Sequence, residues 1–329
     1  MPAIWWADDT GVERKVRMNQ LSTSWDRQAF PTLPAVSFEF FPPATPELHQ
    51  KLWQALERLA PLSPRFASVT YGAGGSTRER THEIVVAIQQ RLGLRPAAHL
   101  TCVGAAKSEI EAVAKRYWQA GICHIVALRG DPPEGQGKFT PHPKGYACAA
   151  ELVAGLKKVA DFEISVAAHP EVHPDAASPQ ADLENLKRKQ DAGAARGITQ
   201  FFFDVDVFLR FRDKANGAGV NMPLVPGILP VTNFKQVQKF AARCGASVPA
   251  SLAHHFEGLD NDPETRQLVA AHIAGEQCRR LQAEGVHEFH FYTLNRAELT
   301  RAICHLLGIR TAEPMPPSES SANRIAAKN

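Results

Sequence analysis

No two cysteines in the 329-residue chain have CxxC spacing. The six stand apart, at 102, 123, 148, 244, 278 and 304, which excludes a zinc-type motif and offers no disulfide framework. Several sit among apolar residues, as in Ala302-Ile303-Cys304, so reduced thiols in a cytoplasmic protein are expected. No apolar run approaches the ~20 residues that a membrane helix requires. The opening stretch MPAIWWADDTGVERKVRMNQ has no apolar core of the signal-peptide kind. A dense Lys/Arg block is also missing. With 37 Lys+Arg against 34 Asp+Glu, the net charge is only +3, which gives no argument for nucleic acid or a membrane surface as partner. The short cluster Lys187-Arg188-Lys189 lies in a helical pattern and reads by itself as a solvated face.

Several chemical motifs fail. GAGG at 72–75 lacks the G-x-G-x-x-G spacing of a dinucleotide fingerprint. Gly130 and Gly135 have the first spacing of a P-loop, but Gln136 stands where Lys is required. No G-x-S-x-G elbow occurs. His169 and His173 form H-x-x-x-H, but Pro170 and Pro174 interrupt it. In an extended segment those side chains lie ~13 Å apart, so no metal site is expected.

What is present is alternation. Hydrophobic residues make up 44% of the chain, enough for a large core. Short β-branched or aromatic runs alternate with amphipathic helical runs, with Gly or Pro at the joins. The pattern predicts strands over 36–41, 66–71, 97–102, 124–129, 163–168, 198–203, 224–229 and 288–294. Helices follow over 47–59, 77–92, 108–120, 146–160, 181–192, 207–218, 234–244 and 297–307, and an extra helix over 263–284 precedes the last strand. Ser108 and Glu111 read as a capping box, and Gly121 and Gly308 as glycines closing helices. Eight strand-helix units predict an α/β fold, a (β/α)8 TIM barrel, over an open doubly wound sheet. The barrel is expected over 31–309. Residues 1–30 are expected to be a poorly ordered extension, with Met18 as an alternative start, and the Pro/Ser-rich tail 310–329 to be disordered.

A barrel carries its chemistry at the C-terminal ends of its strands. There the sequence places Glu39, Thr70-Tyr71, His99, Arg129-Gly130-Asp131, His169, Gln200 and Tyr292 through Arg296. Alternation sends Ser37, Glu39 and Phe41 into the barrel and Val36, Phe38 and Phe40 toward the helices. As a single residue Glu39 fits a structural ion pair as well as catalysis. Asp182, Asn185 and Lys189, at i, i+3 and i+7, share one helix face. That stripe suits a sugar or phosphate group, although spacing alone favours a solvated face. Two other readings stay open on residues alone. One is a metal-dependent lyase or hydrolase using His99, Glu171 and His173, and the other is a non-catalytic binding subunit.

Together the strand ends resemble those of the 5,10-methylenetetrahydrofolate reductases. The matching stretches are VSFEFFPP (36–43), SVTYGAGG (68–75), HLTC (99–102), HIVALRGDPP (124–133), EVHP (171–174), ADLENLKRK (181–189), ITQFFFD (198–204), PGILPVTNFKQ (226–236) and FHFYTLNRAE (289–298). They run in order from about Val36 to Ile309.

The resemblance implies an FAD-containing barrel that reduces 5,10-methylenetetrahydrofolate to 5-methyltetrahydrofolate in ping-pong fashion, supplying methyl groups for methionine synthesis. It implies NADH more than NADPH as donor, a homo-oligomer, and no control by adenosylmethionine. Carried over residue by residue, Glu39 is the general acid, Asp131 serves flavin and folate, and Gln200 serves folate and nicotinamide in turn. Cofactor contacts fall to Thr70, Tyr71, Ala73, His99, Arg129, Gly130, Asp131, Ala149, His169, His173, Ala176, Asp182, Asn185, Arg188 and Lys189. Substrate contacts fall to Asp131, Gln200, Gln236, Phe240, Tyr292 and Arg296. Desolvation among Phe residues is expected to raise the Glu39 pKa. Cys148 stands where the family usually has Tyr, and Tyr146 is the candidate to replace it.

Overall fold

The computed structural model describes residues 4–7, 13–16, 32–71, 78–131 and 139–311. The expected disorder of the tail, and most of that in residues 1–30, lies outside them. The chain divides into two units, residues 1–33 and 34–329. In the first, Ile4–Ala7 and Glu13–Val16 pair as antiparallel strands.

The second unit is the barrel. Its strands are β1 (Ala35–Phe40), β2 (Ala67–Val69), β3 (Pro96–Thr101), β4 (His124–Leu128), β5 (Glu163–Ala168) and β6 (Arg196–Thr199), then β7 in two halves (Leu224–Val225 and Gly227–Ile228) and β8 (Glu288–Tyr292). All pair in parallel with their neighbours. Strand seven, expected as one run, is broken at Pro226, which has no N–H for the ladder. Its first half pairs with β6 and its second with β8, so the ring closes across the proline. Counting the two halves as one turns nine strand segments into eight strands.

The helices are α1 (Pro46–Leu59), α2 (Arg78–Leu92), α3 (Lys107–Gln119), α4 (Ala149–Val159), α5 (Pro179–Asp191), α6 (Val205–Gly217), α7 (Phe234–Cys244), α8 (Ala250–Phe256), α9 (Pro263–Ala283) and α10 (Glu298–Leu306). Side chains start several of them. Thr45, Ser178, Asp204, Asn233 and Asp262 each accept a backbone N–H in the first turn. The expected capping box at Ser108 is displaced. The helix begins one residue earlier, at Lys107, with Ala106 in the cap position, and Glu109, not Glu111, accepts from the Ala106 N–H at 2.8 Å. Gly121 and Gly308 close α3 and α10 with φ of 79° and 83°. Helix α8 was not expected. It is one short segment with no side-chain cap.

Val36, Phe38 and Phe40 are buried in the main core with Leu52, Trp53 and Leu56 of α1. The amino ends of the strands are plugged by charge. Arg196 lies 2.8 Å from Glu163 and 4.0 Å from Glu288, with its guanidinium 5.5 Å from the Phe66 ring. Chemistry is therefore left to the carboxyl ends.

Candidate functional site at the carboxyl rim

The end of β1 is held from across the barrel seam. Thr293 Oγ1 donates to the Glu39 carbonyl at 2.6 Å. Asn295 accepts from Phe41 N at 3.0 Å and donates to Phe41 O at 2.9 Å. Asn295 makes this two-point clamp from the left-handed region, at φ 55°, which Asn tolerates better than most residues. Glu39 is thereby fixed facing the barrel interior. Its Oε2 lies 3.3 Å from His99 Nε2 and 3.5 Å from His290 Nε2. The His290 contact is a hydrogen bond. His99 Nε2 is close enough for an ion pair but off the line of a hydrogen bond, and among the described residues it has no other hydrogen-bond partner. Burial, the largest single influence, pushes the Glu39 carboxyl up. The His290 hydrogen bond and the close contact and charge of His99 together outweigh it and bring the pKa down to about 2. The expected rise from the Phe wall is thus reversed, because the Phe rings face the helices and histidines face the acid.

At the same carboxyl rim opens a cavity of about 670 Å³, whose lining includes neither Glu39 nor His99. The end of β4 gives it Arg129, Gly130 and Asp131. Arg129 pairs with Asp175 at 2.8 Å and with Asp131 at 3.8 Å, and its guanidinium lies 5.0 Å from the Phe139 ring centre. Gly130 has φ of 83°, and a Cβ there would come within 2.7 Å of Val103 and 2.8 Å of Thr101, so the bare backbone is required. The start of α4 contributes Ala149 and Cys148.

His169, His173 and Ala176 line the next wall. The two imidazoles meet edge to face at 4.6 Å, so the extended geometry expected for this segment is wrong. The chain folds back through Val172, whose φ of 40° is strained for a β-branched residue. Burial and the neighbouring His173 bring the His169 pKa down to about 3. Among the described residues, no group of three His, Cys, Asp or Glu could hold a metal ion. His99 is engaged with Glu39, while Glu171 accepts from Ser247 N at 2.9 Å.

Helix α5 completes the wall with Asp182, Asn185, Arg188 and Lys189. Asp182 accepts from His173 N at 2.9 Å. Lys189 is 5% exposed, donates to the Ala167 carbonyl at 2.9 Å, and is brought down to about 8 chiefly by burial. Gln200 faces the cavity from the end of β6.

The remaining candidates stand elsewhere. Thr70 lies beside β1, its N–H bonded to Phe40 O at 2.8 Å. Tyr71 is half-buried, and Ala73 falls outside the described residues. Neither Gln236 nor Arg296 lines the cavity, and both are exposed. Phe240 stacks on Phe201 at 5.4 Å, and Tyr292 meets the same ring at 6.3 Å while donating to the Thr199 carbonyl at 2.7 Å. Tyr146 does not replace the missing tyrosine. It turns into the core, where its hydroxyl donates to Glu111 at 3.1 Å, and Cys148 keeps the cavity position.

Sequence reasoning missed Arg243, Asp175 and His290. Arg243 lines the cavity and lies at i+7 from Gln236 and i+3 from Phe240, a spacing that could have found it. His290 had no such signal. It meets Glu39 only because β8 pairs with β1, in a register that sets His290 beside Ser37.

Closed parallel strands, a charged plug at one end and a polar cavity at the other define a (β/α)8 barrel built to work at its carboxyl rim. A solved structure described as "Uncharacterized protein from Clostridium thermocellum binds two copies of 5-methyl-5,6,7,8-tetrahydrofolic acid" shares the fold, with a TM-score of 0.54 and 14% identity over 87% of this chain and 97% of that one. The chain belongs to the methylenetetrahydrofolate reductase family, whose profile matches residues 27–308. It is 58% identical over 275 residues to the 5,10-methylenetetrahydrofolate reductases of Salmonella typhimurium and Escherichia coli, covering 84% of this chain and 91% of each of those. "Methylenetetrahydrofolate reductase (NADH) 1" of Arabidopsis thaliana is 39% identical over 84% of this chain and 48% of its own length. No described helix is long and apolar enough to cross a membrane.

Proposed function

We propose that the barrel, residues 31–309, binds FAD and reduces 5,10-methylenetetrahydrofolate to 5-methyltetrahydrofolate with NADH in a ping-pong scheme, feeding methyl groups to methionine synthesis in the cytoplasm. The observation that carries this reading is the cavity wall. It combines a glycine that admits no Cβ with a buried ammonium whose bonded acceptor, among the described residues, is a single carbonyl. Such a wall fits a phosphate-bearing cofactor. Arg188, Lys189 and Asn185 would hold its pyrophosphate and ribityl parts, and Arg129, Gly130 and His169 its ring end. When bound, FAD supplies a carrier that accepts hydride from the donor and passes it to folate.

The chain's own residues do the rest. Gln200 meets nicotinamide and folate in alternation, which a ping-pong order allows. Glu39 delivers the proton that opens the methylene bridge. The Asp131 carboxylate favours the cationic iminium that results. Phe240, Gln236, Tyr292 and Arg296 bind folate from α7 and the end of β8. The NADH preference takes support from the name of the Arabidopsis relative, and a homo-oligomer is part of the same reading. Purified protein is expected to be yellow, and anaerobic NADH to bleach it. A colourless preparation that FAD cannot reconstitute would contradict the proposal.

A further inference from the structure

A second cavity, of about 380 Å³, lies in the outer layer between α5 and α6. It exists because the helix layer does not close there. Helix α5 packs on α4 and helix α6 on α9, while α5 and α6 approach each other less closely. The face of α6 toward the gap carries Val207, Arg210, Phe211 and Lys214, at i, i+3, i+4 and i+7. Helix α5 answers with Leu183 and Leu186, and the chain leaving β5 adds Pro170 through Val172.

This lining joins an apolar floor to cations. Leu186 and Phe211 are buried, whereas Arg210 and Lys214 are exposed. Among the described residues neither cation makes a hydrogen bond or an ion pair. The two carboxylates of the lining are engaged: Glu171 accepts from Ser247 N and Asp182 from His173 N, each at 2.9 Å. With Lys189, three cations face these two acids, and the cavity keeps a positive balance. Cavities of roughly 300–1,000 Å³ hold small organic ligands. This one suits a flat apolar body that bears an anionic group. The cavity also shares a wall with the larger one, because Ala167, His169, Asp182 and Lys189 line both. The Lys189 ammonium has three donors, and the Ala167 carbonyl takes one at 2.9 Å.

We propose that the gap between α5 and α6 is a second ligand site, which takes a small organic anion and regulates the inner cavity through the shared wall. The apolar body lies on Leu183, Leu186 and Phe211. The carboxylate, sulfonate or phosphate group meets Arg210 and Lys214. No bond is made or broken there. The occupant draws on the Lys189 ammonium from outside, which weakens its hold on a phosphate-bearing cofactor inside. This coupling rests on the cofactor role given to Lys189 above, while the outer site stands on its own lining. By linkage the effect is reciprocal: bound cofactor weakens the occupant by the same factor.

The probe is 8-anilinonaphthalene-1-sulfonate, an apolar ring body with one anionic group. Isothermal titration of the FAD-loaded protein reads its affinity and stoichiometry, and one molecule per chain is expected. The double variant R210Q/K214Q removes the cations and is expected to weaken the probe about tenfold or more. V207W fills the gap from α6 and is expected to abolish binding. Neither touches the inner cavity, so reduction by NADH stays within about twofold. Should V207W fold poorly, the double variant decides, since both of its positions are exposed. Saturating probe is expected to raise the FAD dissociation constant of wild type about fivefold or more, read as flavin retained on ultrafiltration, and to leave that of V207W unchanged. No saturable binding, or equal binding in wild type and the variants, overturns the site. Probe binding that leaves FAD affinity unchanged overturns the regulation. If the protein holds no FAD, the proposed function is wrong, and the same titrations of wild type and variants still judge the outer site.

Discussion

Glu39 is a carboxylate at rest, and the proposed function asks it to deliver a proton. Its two imidazole neighbours hold the proton affinity far below that of an ordinary glutamate, so a charge-neutral replacement tests the role without emptying the site. Glu39→Gln is expected to retain FAD and reduction by NADH while losing about 10²–10⁴-fold in the folate half-reaction. Rapid mixing of the reduced protein with methylenetetrahydrofolate measures it, and an unchanged rate would remove Glu39 from the mechanism. A second residue-scale prediction concerns stability. A Cβ at Gly155 would lie 2.0 Å from the Tyr146 hydroxyl, in a buried joint between α3 and α4. Gly155→Ala should therefore destabilise the fold by roughly 1–3 kcal/mol despite the better helix propensity of Ala, as urea titration would show. That joint also explains why Tyr146 is not available to the cavity.

Helix α5 shows what an element can do that its residues cannot do singly. Its Ser178 cap and Pro179 start set the rotation that turns Asp182, Asn185 and Lys189 to the cavity and Leu186 to the core. Lys189 is charged at a cost, since burial lowers its pKa from 10.5 to about 8. The sign follows directly. The folded chain binds this proton more weakly than the unfolded one, so at neutral pH the group works against folding, and stability rises as pH climbs from about 8 toward 10.5. Lys189→Met is thus expected to hold or raise the neutral-pH unfolding midpoint of the flavin-free protein while weakening FAD binding about tenfold or more. Fluorescence titration of FAD together with denaturation separates the two effects.

The i, i+3, i+7 spacing puts the stripe on one helix face but by itself favours a solvated one, and the family resemblance is what pointed it at a cofactor. Strand β5 was plain by contrast, and its bounds match the reading residue for residue. The break at Pro226 was available from proline chemistry but is invisible to a pattern of apolar residues. Helix α8 lacks both a cap and length. The partners of Glu39 were out of reach for another reason. A periodic pattern assigns Glu39 to the interior but does not say which interior residue it meets. That depends on the β8–β1 register, which joins residues about 250 positions apart.

Across the whole molecule, the interior carries histidines that the fold keeps neutral. His124 is fully buried with its pKa well below 6.5, first through burial and then through Arg196. His169 is brought down to about 3. Unfolding frees both to take up protons below about pH 6.5, so stability should fall as the pH drops through that value. Glu39 adds to the loss from about pH 4.5 downward, since its folded pKa is the lower one. Urea midpoints at pH 7.5 and 5.5 check this, and a His124→Asn variant should show a shallower decline. The barrel, the carboxyl-rim cavity and the family agree, and the central claim is that this one cavity serves two hydride transfers in turn. The most direct measurement is a double-mixing experiment under anaerobic conditions. NADH should bleach the bound flavin with no folate present, and methylenetetrahydrofolate should then restore its colour with formation of methyltetrahydrofolate. A flavin that NADH bleaches but folate cannot recolour, or a protein that holds no flavin, would contradict the account.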